Sequence, residues 1–279
     1  MKINFFNLTE KIINKVFWEN LSSYDFSNLD LKNHLAILPI AAIEQHGPHL
    51  PVSVDSKIIE GLINKISKKL TQDNKLLFLP TQKIGKSNEH SLFPGTLSLS
   101  VETLISTLID IGKCVDSAGI KKLVFLNSHG GNISTMDIVA RELRVQKEML
   151  VFNINWFGFG MPDGVFSEHE LKYGIHAGDL ETSIMLALDP DNVEMKRAEN
   201  FASEMINIEK KFKNIGLNSA AKVAWQSQDL NKKGACGNAK ISTAIKGEIT
   251  LDFVSKKLLK IFKEIEDMPL TFISTKTDY

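Results

Sequence analysis

Cysteine is nearly missing from this chain: Cys114 and Cys236 are the only two in 279 residues. That excludes a disulfide framework and a thiolate zinc site, and it fits a reducing cytoplasm. Charge of one sign is not in excess either. With 33 basic residues against 33 acidic ones, there is no electrostatic ground for a nucleic-acid partner or an anionic membrane surface. No run approaches the roughly 18–20 uncharged apolar residues that span a bilayer. The opening MKINFFNLTEKIINKVFWEN is broken by Glu10, Lys11, Lys15 and Glu19. It therefore lacks the continuous apolar core of a signal peptide and reads as a first helix. Internal repeats, low-complexity tracts and linkers are absent as well, so one domain over residues 1–279 is expected although the length alone would admit two.

What is present is an alternation of short apolar runs with longer amphipathic ones, the signature of a mostly parallel sheet covered by helices. The expected strands are Ala36 to Ile43, Lys75 to Pro80, Lys122 to Asn127 and Leu150 to Trp156. Helices are expected after Asp55, through Ile58, Ile59, Leu62, Ile63 and Ile66, from about Val101 to Ala118, and from Asp179 to Leu188. The fold class is α/β.

The first strand ends in a dense set of polar groups, EQHGPHLPVSVD. Side chains two apart in extended backbone share a side, so Glu44 and His46 can converge just past the strand's carboxyl end. Gly47, Pro48 and Pro51 then force an irregular loop, and Asp55 sits at a helix start, where an N-cap is its ordinary use. Three side chains of metal-binding type within twelve residues, at the strand end where ligands of open α/β sheets gather, point to a metal or catalytic site.

Later strand ends add to it. His90 lies in the Gly/Pro-punctuated connection after the second strand, either bonding backbone or contributing to the site. The third strand runs into Ser128, His129, Gly130, Gly131 and Asn132, whose glycines let backbone approach a ligand or metal closely. The HGGN run lacks the spacing of the dinucleotide and P-loop phosphate fingerprints. Trp156 closes the fourth strand, as packing or as a stacking surface for substrate, before the loop FGFGMPDGVF, which is long enough to serve as a lid. In GIHAGDLETSIMLALDP, Asp179 suits an N-cap, which leaves His176 in the loop before the helix and Glu181 in its first turn. Only that placement lets the two share a site.

The blocks EQHGPHLP with the following Asp55, FPGTLSL, NSHGGN and HAGDLETS, with a weaker GACGNAKISTAIKGE near the C-terminus, resemble the creatininase (creatinine amidohydrolase) family of metal-dependent hydrolases. They run through about half the chain in that family's order. The resemblance implies a single layered α/β/α domain with a mostly parallel central sheet, two divalent metal ions per chain (zinc ahead of manganese or iron), a small-molecule substrate, and homo-oligomers, commonly hexamers. It implies Glu44, His46, Asp55 and His129 as metal ligands, with Asp55 bridging the ions. Glu181 enters as a ligand of the second ion or as the group that orients it, and His176 as the residue that moves protons. The chemistry agrees: a carboxylate bridging two cations about 3.5–4 Å apart leaves places for a shared water whose lowered pKa supplies hydroxide at neutral pH. An imidazole is suited to protonating the leaving nitrogen as the C–N bond breaks.

One departure bears on the substrate. Family members that open creatinine carry a glutamate ligand two residues after the histidine of the third-strand motif, where this chain has Gly131. Branches with the HGGN form act on formamides of pyrimidine intermediates, cyclic sugar-derived compounds and peptides in cofactor maturation. The expected activity is therefore amide C–N hydrolysis of a substrate other than creatinine, with Glu181 the candidate for the missing ligand place. The alternatives are hydrolysis of a lactone or of a C–C bond, and a metal-binding relative without turnover.

Overall fold

The computed structural model describes residues 16–71, 74–217 and 219–279. Residues 1–15 of the expected first helix lie outside them. At residues 16–20 Phe17 bridges Phe78 and Trp18–Asn20 forms a 3₁₀ turn. Four strands, β1 (Leu35–Ile40), β2 (Leu76–Phe78), β3 (Lys122–Asn127) and β4 (Leu150–Asn155), make a parallel sheet in the order β2-β1-β3-β4. Nine helices are described: α1 (Ser23–Asn28), α2 (Val54–Ser67), α3 (Val101–Ser117), α4 (Ile133–Lys147), α5 (Glu168–Tyr173), α6 (Asp179–Leu188), α7 (Met205–Lys211), α8 (Ser227–Leu230) and α9 (Ala244–Asp267).

The sheet is buried on both faces, which is why its strands read as unbroken apolar runs. Along β1, Leu35 and Ile37 face a core shared with Ile58, Ile59 and Leu62 of α2, Ile184 and Met185 of α6, and Leu251, Val254 and Leu258 of α9. Ala36, Leu38 and Ile40 face the opposite core, with Leu104, Leu108 and Val115 of α3 and Met136, Val139 and Leu143 of α4. The layers are thus helix, sheet, helix. Register holds Ile37 beside Val124 and Ile40 beside Asn127, so β1 and β3 end level with each other. The loops that leave them emerge side by side at the carboxyl edge of the sheet.

Lys122 begins β3 yet is buried, which a lysine tolerates only with partners. Its Nζ donates to the carbonyls of Ile265 and Glu266, at 3.0 and 2.6 Å, at the carboxyl end of α9 where backbone carbonyls lack helical partners.

Three local expectations are corrected. β1 stops at Ile40, and Ile43 makes only an isolated bridge to Leu97. Asp55 does not cap α2: Ser53 holds the cap position without a side-chain bond, and Asp55 is the second helical residue. Gly178 rather than Asp179 precedes α6, and Asp179 instead pairs with Lys246 of α9 at 2.6 Å. The segment after Trp156 packs against the first core through Phe157, Phe159 and Met161.

Candidate active site

Glu44 and His46 leave the end of β1, Asp55 stands in the first turn of α2, His129 follows β3, and Glu181 stands in the first turn of α6. All converge. His129 Nδ1 lies 3.2 Å from Glu44 Oε2 and 3.9 Å from Asp55 Oδ2, and His46 Nε2 lies 3.9 Å from Asp55 Oδ2 and 3.8 Å from Glu181 Oε2. Their donor atoms fall into groups whose members lie within 4.8 Å of one another: Glu44, Asp55 and His129; His46, Asp55 and Glu181; and Glu44, His46 and His176. Asp55 belongs to two of them.

The tautomers suit this geometry. His46 Nδ1 donates to its neighbour's carbonyl, Glu44 O, at 3.0 Å, which leaves the Nε2 lone pair facing Asp55 and Glu181. His129 Nε2 donates to Lys86 O at 2.9 Å, which leaves Nδ1 facing Glu44 and Asp55. Second partners of this kind fix the ring and the tautomer of a metal-ligating histidine. Burial, and then the neighbouring His176, hold His46 neutral, well below the usual imidazole range.

Three buried atoms of the cluster, Glu44 Oε2, His46 Nε2 and Asp55 Oδ2, have no hydrogen-bond partner. Such orphans are costly unless something else satisfies them. Burial, with Glu44 beside it, pushes the Asp55 carboxyl well above its usual range, and burial also raises Glu181. Burial opposes charge on His129 too, yet Glu44, Glu89 and Asp55 outweigh it and raise this imidazole well above the ordinary range. Carboxylates crowded in a dry site call for positive charge at this point. All donors are oxygen or nitrogen, so the set fits divalent cations of the zinc, manganese and iron type.

His176 and His90 flank the cluster. The His176 ring lies between those of His46, at 4.2 Å, and His90, at 4.3 Å, tilted by 37° and 34° to them, and its Nε2 donates to Gln45 O at 2.7 Å. Its Nδ1 lies 3.7 Å from Glu44 Oε1. His90 bonds a side chain rather than backbone: Gln45 Nε2 donates to its Nδ1 at 2.7 Å, and His90 Nε2 faces Glu44 Oε1 at 3.5 Å. Burial, then His176, lower its pKa to about 4. Trp156 sits in the first core, 2% exposed, edge-on to Phe157.

The α6 loop is held from behind. Ala177, between His176 and Gly178, adopts φ +54, a region that residues with a side chain rarely occupy. Its N–H donates to Glu181 Oε2 at 2.5 Å, which ties the two candidate residues to one strained link. Glu170 of α5, itself buried, accepts from the backbone N–H of Asp179 at 2.6 Å and of Asn238 at 3.0 Å. Gly174, Gly178 and Gly237 close around this carboxylate so tightly that none has room for a Cβ.

Sequence reasoning gave no role to four contributors. Gln45 was hidden because strand alternation, extended past Ile40, assigns it to the face opposite Glu44 and His46. The chain is irregular there, and its amide is buried against His90 and His176. His49 donates or accepts at Thr182 Oγ1, 2.9 Å away, and stacks on Phe201, and burial, followed by His176, lowers its pKa to about 4. Glu170 carries no motif. Glu89 had a signal: it neighbours His90, and Gly131 leaves a side-chain space open beside His129.

Glu89 occupies that space, with Oε1 3.3 Å from His129 Nε2. A Cβ at Gly131 would collide with the Lys86 carbonyl, the Glu89 carboxylate and the His129 ring. No glutamate fits at 131 without rebuilding this wall. Gly131→Ala should therefore lower stability by about 1–3 kcal/mol, the usual cost of overpacking. The check is the denaturant midpoint, and an unchanged midpoint would show that the wall yields freely.

A parallel α/β sheet with a buried N/O donor set at its carboxyl edge is the arrangement of a metal-binding α/β protein. The family model described as "Creatinine amidohydrolase" matches residues 19–262, and the chain belongs to the creatininase family. It is 30% identical over 183 residues to the mycofactocin precursor peptide peptidase of Mycobacterium tuberculosis, covering 63% of this chain and 67% of that one. With the creatinine amidohydrolase of Pseudomonas putida it shares 32% identity over 177 residues, 58% of this chain and 66% of that one. A solved mutant creatininase superposes with a TM-score of 0.72 at 25% identity, over 91% of this chain and 100% of that one. Both named relatives hydrolyse C–N bonds, one in a peptide and one in a small molecule.

Proposed function

We propose that this chain is a two-metal amidohydrolase that cleaves the C–N bond of a small amide other than creatinine, with Glu44, His46, Asp55, His129 and Glu181 holding the ions. The observation that carries the reading is a carboxylate shared between donor groups: Asp55 stands in two of the three, with Glu44 and His129 in one and with His46 and Glu181 in the other, so that Glu181 completes the latter where Gly131 offers nothing. Divalent cations bound there polarise the scissile carbonyl and lower the pKa of water, with zinc the expected ion and manganese or iron admissible by donor type.

The protein's own groups divide the remaining work. His176 is locked by its Nε2 donation to Gln45 O, so its Nδ1, 3.7 Å from Glu44 Oε1, is the atom that takes up a proton and delivers it to the leaving nitrogen. His90 stays neutral at pH 7, since its pKa is about 4. With Nδ1 accepting from Gln45, it presents Nε2–H towards Glu44, orienting that carboxylate and bordering the substrate. Glu89 steadies His129 from behind. Trp156 supports the site wall from within the core rather than from an open ring face. The whole span acts as one unit in the cytoplasm, in a homo-oligomer, hexameric by the family resemblance. Ile241, Ile245 and Ile249, exposed around the start of α9, supply an apolar face for assembly.

The test is a screen of formamides, cyclic amides, short peptides and lactones with metal-reconstituted protein, alongside metal analysis. Retention of about two ions per chain with amide or formamide turnover is expected. Turnover of lactones alone, or a protein that holds no ion, would overturn the reading.

A further inference from the structure

A cleft of about 540 Å³ opens beside the loop that carries His46, with Gly47 and Pro48 of that loop in its wall. Gln45 forms part of its lining, and the same Gln45 amide donates to His90 at 2.7 Å and lies 3.2 Å from His176 Nε2. A molecule in the cleft thus rests within one side chain of the proposed proton-transfer group. Phe93 lines one part, and Lys196, Arg197, Glu199 and Lys233 line another.

The charges there do not cancel. Glu199 is taken up by Lys233, whose Nζ donates to both carboxylate oxygens at 2.8 and 2.7 Å. Lys196 and Arg197 have no side-chain hydrogen bond or ion pair among the described residues. Two uncompensated cations therefore border this cleft in a chain whose charges balance overall. Their backbone is not loose. Met195–Arg197 forms a 3₁₀ turn closed by Arg197 N donating to Glu194 O at 2.9 Å, and Glu194 N donates to His49 O at 2.9 Å. That second bond ties the cationic turn to the loop that carries His46. A guanidinium and an ammonium lining one cleft match the oxygens of a carboxylate or phosphate.

We propose that Arg197 and Lys196 bind an anionic group, carboxylate or phosphate, on the amide that this enzyme cleaves. The proposal rests on the hydrolase reading above and narrows it: the substrate is an acyl or formyl amide with a negative charge at the end remote from the scissile bond. Both cations are solvent-exposed, so their pull is screened by salt, and they act on capture of the substrate rather than on the chemical step.

The experiment uses the metal-loaded full chain and three matched formamides: N-formylglycine, its neutral amide, and a formamide bearing a phosphate monoester. The wild type is expected to prefer an anionic member by at least roughly tenfold in kcat/KM, with the preference shrinking as ionic strength rises. The double variant Arg197→Ala with Lys196→Ala should lose that preference through KM, the mark of lost uniform binding. Lys172→Ala, an exposed lysine paired with Glu209 away from the cleft, should keep it. Which anion is preferred separates the carboxylate source from the phosphate source. In parallel, calorimetry measures binding of acetate and of inorganic phosphate to wild type and double variant. If no amide is turned over but the anion binds and the double variant loses it, the hydrolase reading falls and the anion site stands. If amides are turned over with no preference for charge, or the double variant keeps the preference, the anion site is overturned and the hydrolase reading survives.

Discussion

Asp55→Ala should strip the protein of its divalent ions and abolish turnover with them, whereas His90→Ala should keep the ions and lose roughly ten- to a hundredfold in rate. The difference follows from position. Asp55 Oδ2 lies 3.9 Å from both His46 Nε2 and His129 Nδ1, so one carboxylate belongs to two donor groups, while His90 faces the carboxylates only at Glu44 Oε1, 3.5 Å away. Stability should move the other way in the metal-free protein. Burial, with Glu44 alongside, pushes the Asp55 carboxyl well above its usual range, so its ionised form is held in the folded state at a cost. A group whose folded pKa is raised stabilises the fold below its unfolded value, and that contribution is lost as pH climbs through the folded one. At neutral pH, metal-free Asp55→Asn should therefore melt above the metal-free wild type, while the metal-loaded order reverses. Equal losses of metal and rate in Asp55→Ala and His90→Ala would count against the shared carboxylate.

His176→Ala should lower turnover by roughly a hundredfold to ten-thousandfold, the usual range for a general acid or base, with the ions retained and the fold intact. The structure sharpens the contest between two roles. His176 also falls within reach of Glu44 and His46 as a third donor group, so it is placed to ligate as well as to shuttle. Its Nε2 is committed to Gln45 O at 2.7 Å, however, and its ring is held between those of His46 and His90 at 4.2 and 4.3 Å. Metal content measured beside turnover decides between them. Loss of an ion in step with activity would make His176 a ligand. His129→Ala, by contrast, should shed metal first and recover part of its rate in excess metal.

Much of the framework was legible because parallel strands buried on both faces leave a local mark. Lys122 to Asn127 was delimited as observed, and Leu150 to Trp156 missed by one residue, because continuous apolar runs bounded by polar turns are what such strands need. The cluster itself was legible through residue types at strand ends. Glu44 with His46 was reached by an alternation that the chain does not obey: β1 has ended by Ile40, and irregular backbone delivers both side chains to the same place. That is also why Gln45 escaped notice, since a rule of period two discards the middle residue. Asp55 and Asp179 read as helix caps because short polar residues before apolar runs usually are; one instead faces Glu44 and His129, and the other answers Lys246. Glu170 could not be found from sequence at all. Its partners are backbone groups at 179 and 238, which no side-chain pattern records.

Glu170 bears on when the site is assembled. The segment from His176 to Glu181 brings two of the candidate groups, and ordering a loop of that kind costs about 1–2 kcal/mol per residue in backbone entropy. If arriving ions had to meet that cost, it would be subtracted from their affinity. Here the cost falls within folding instead: one carboxylate grips the first N–H of α6 and the N–H of Asn238, while Gly174, Gly178 and Gly237 shut in on it. The α6 side of the site is a mould already set when the ions come.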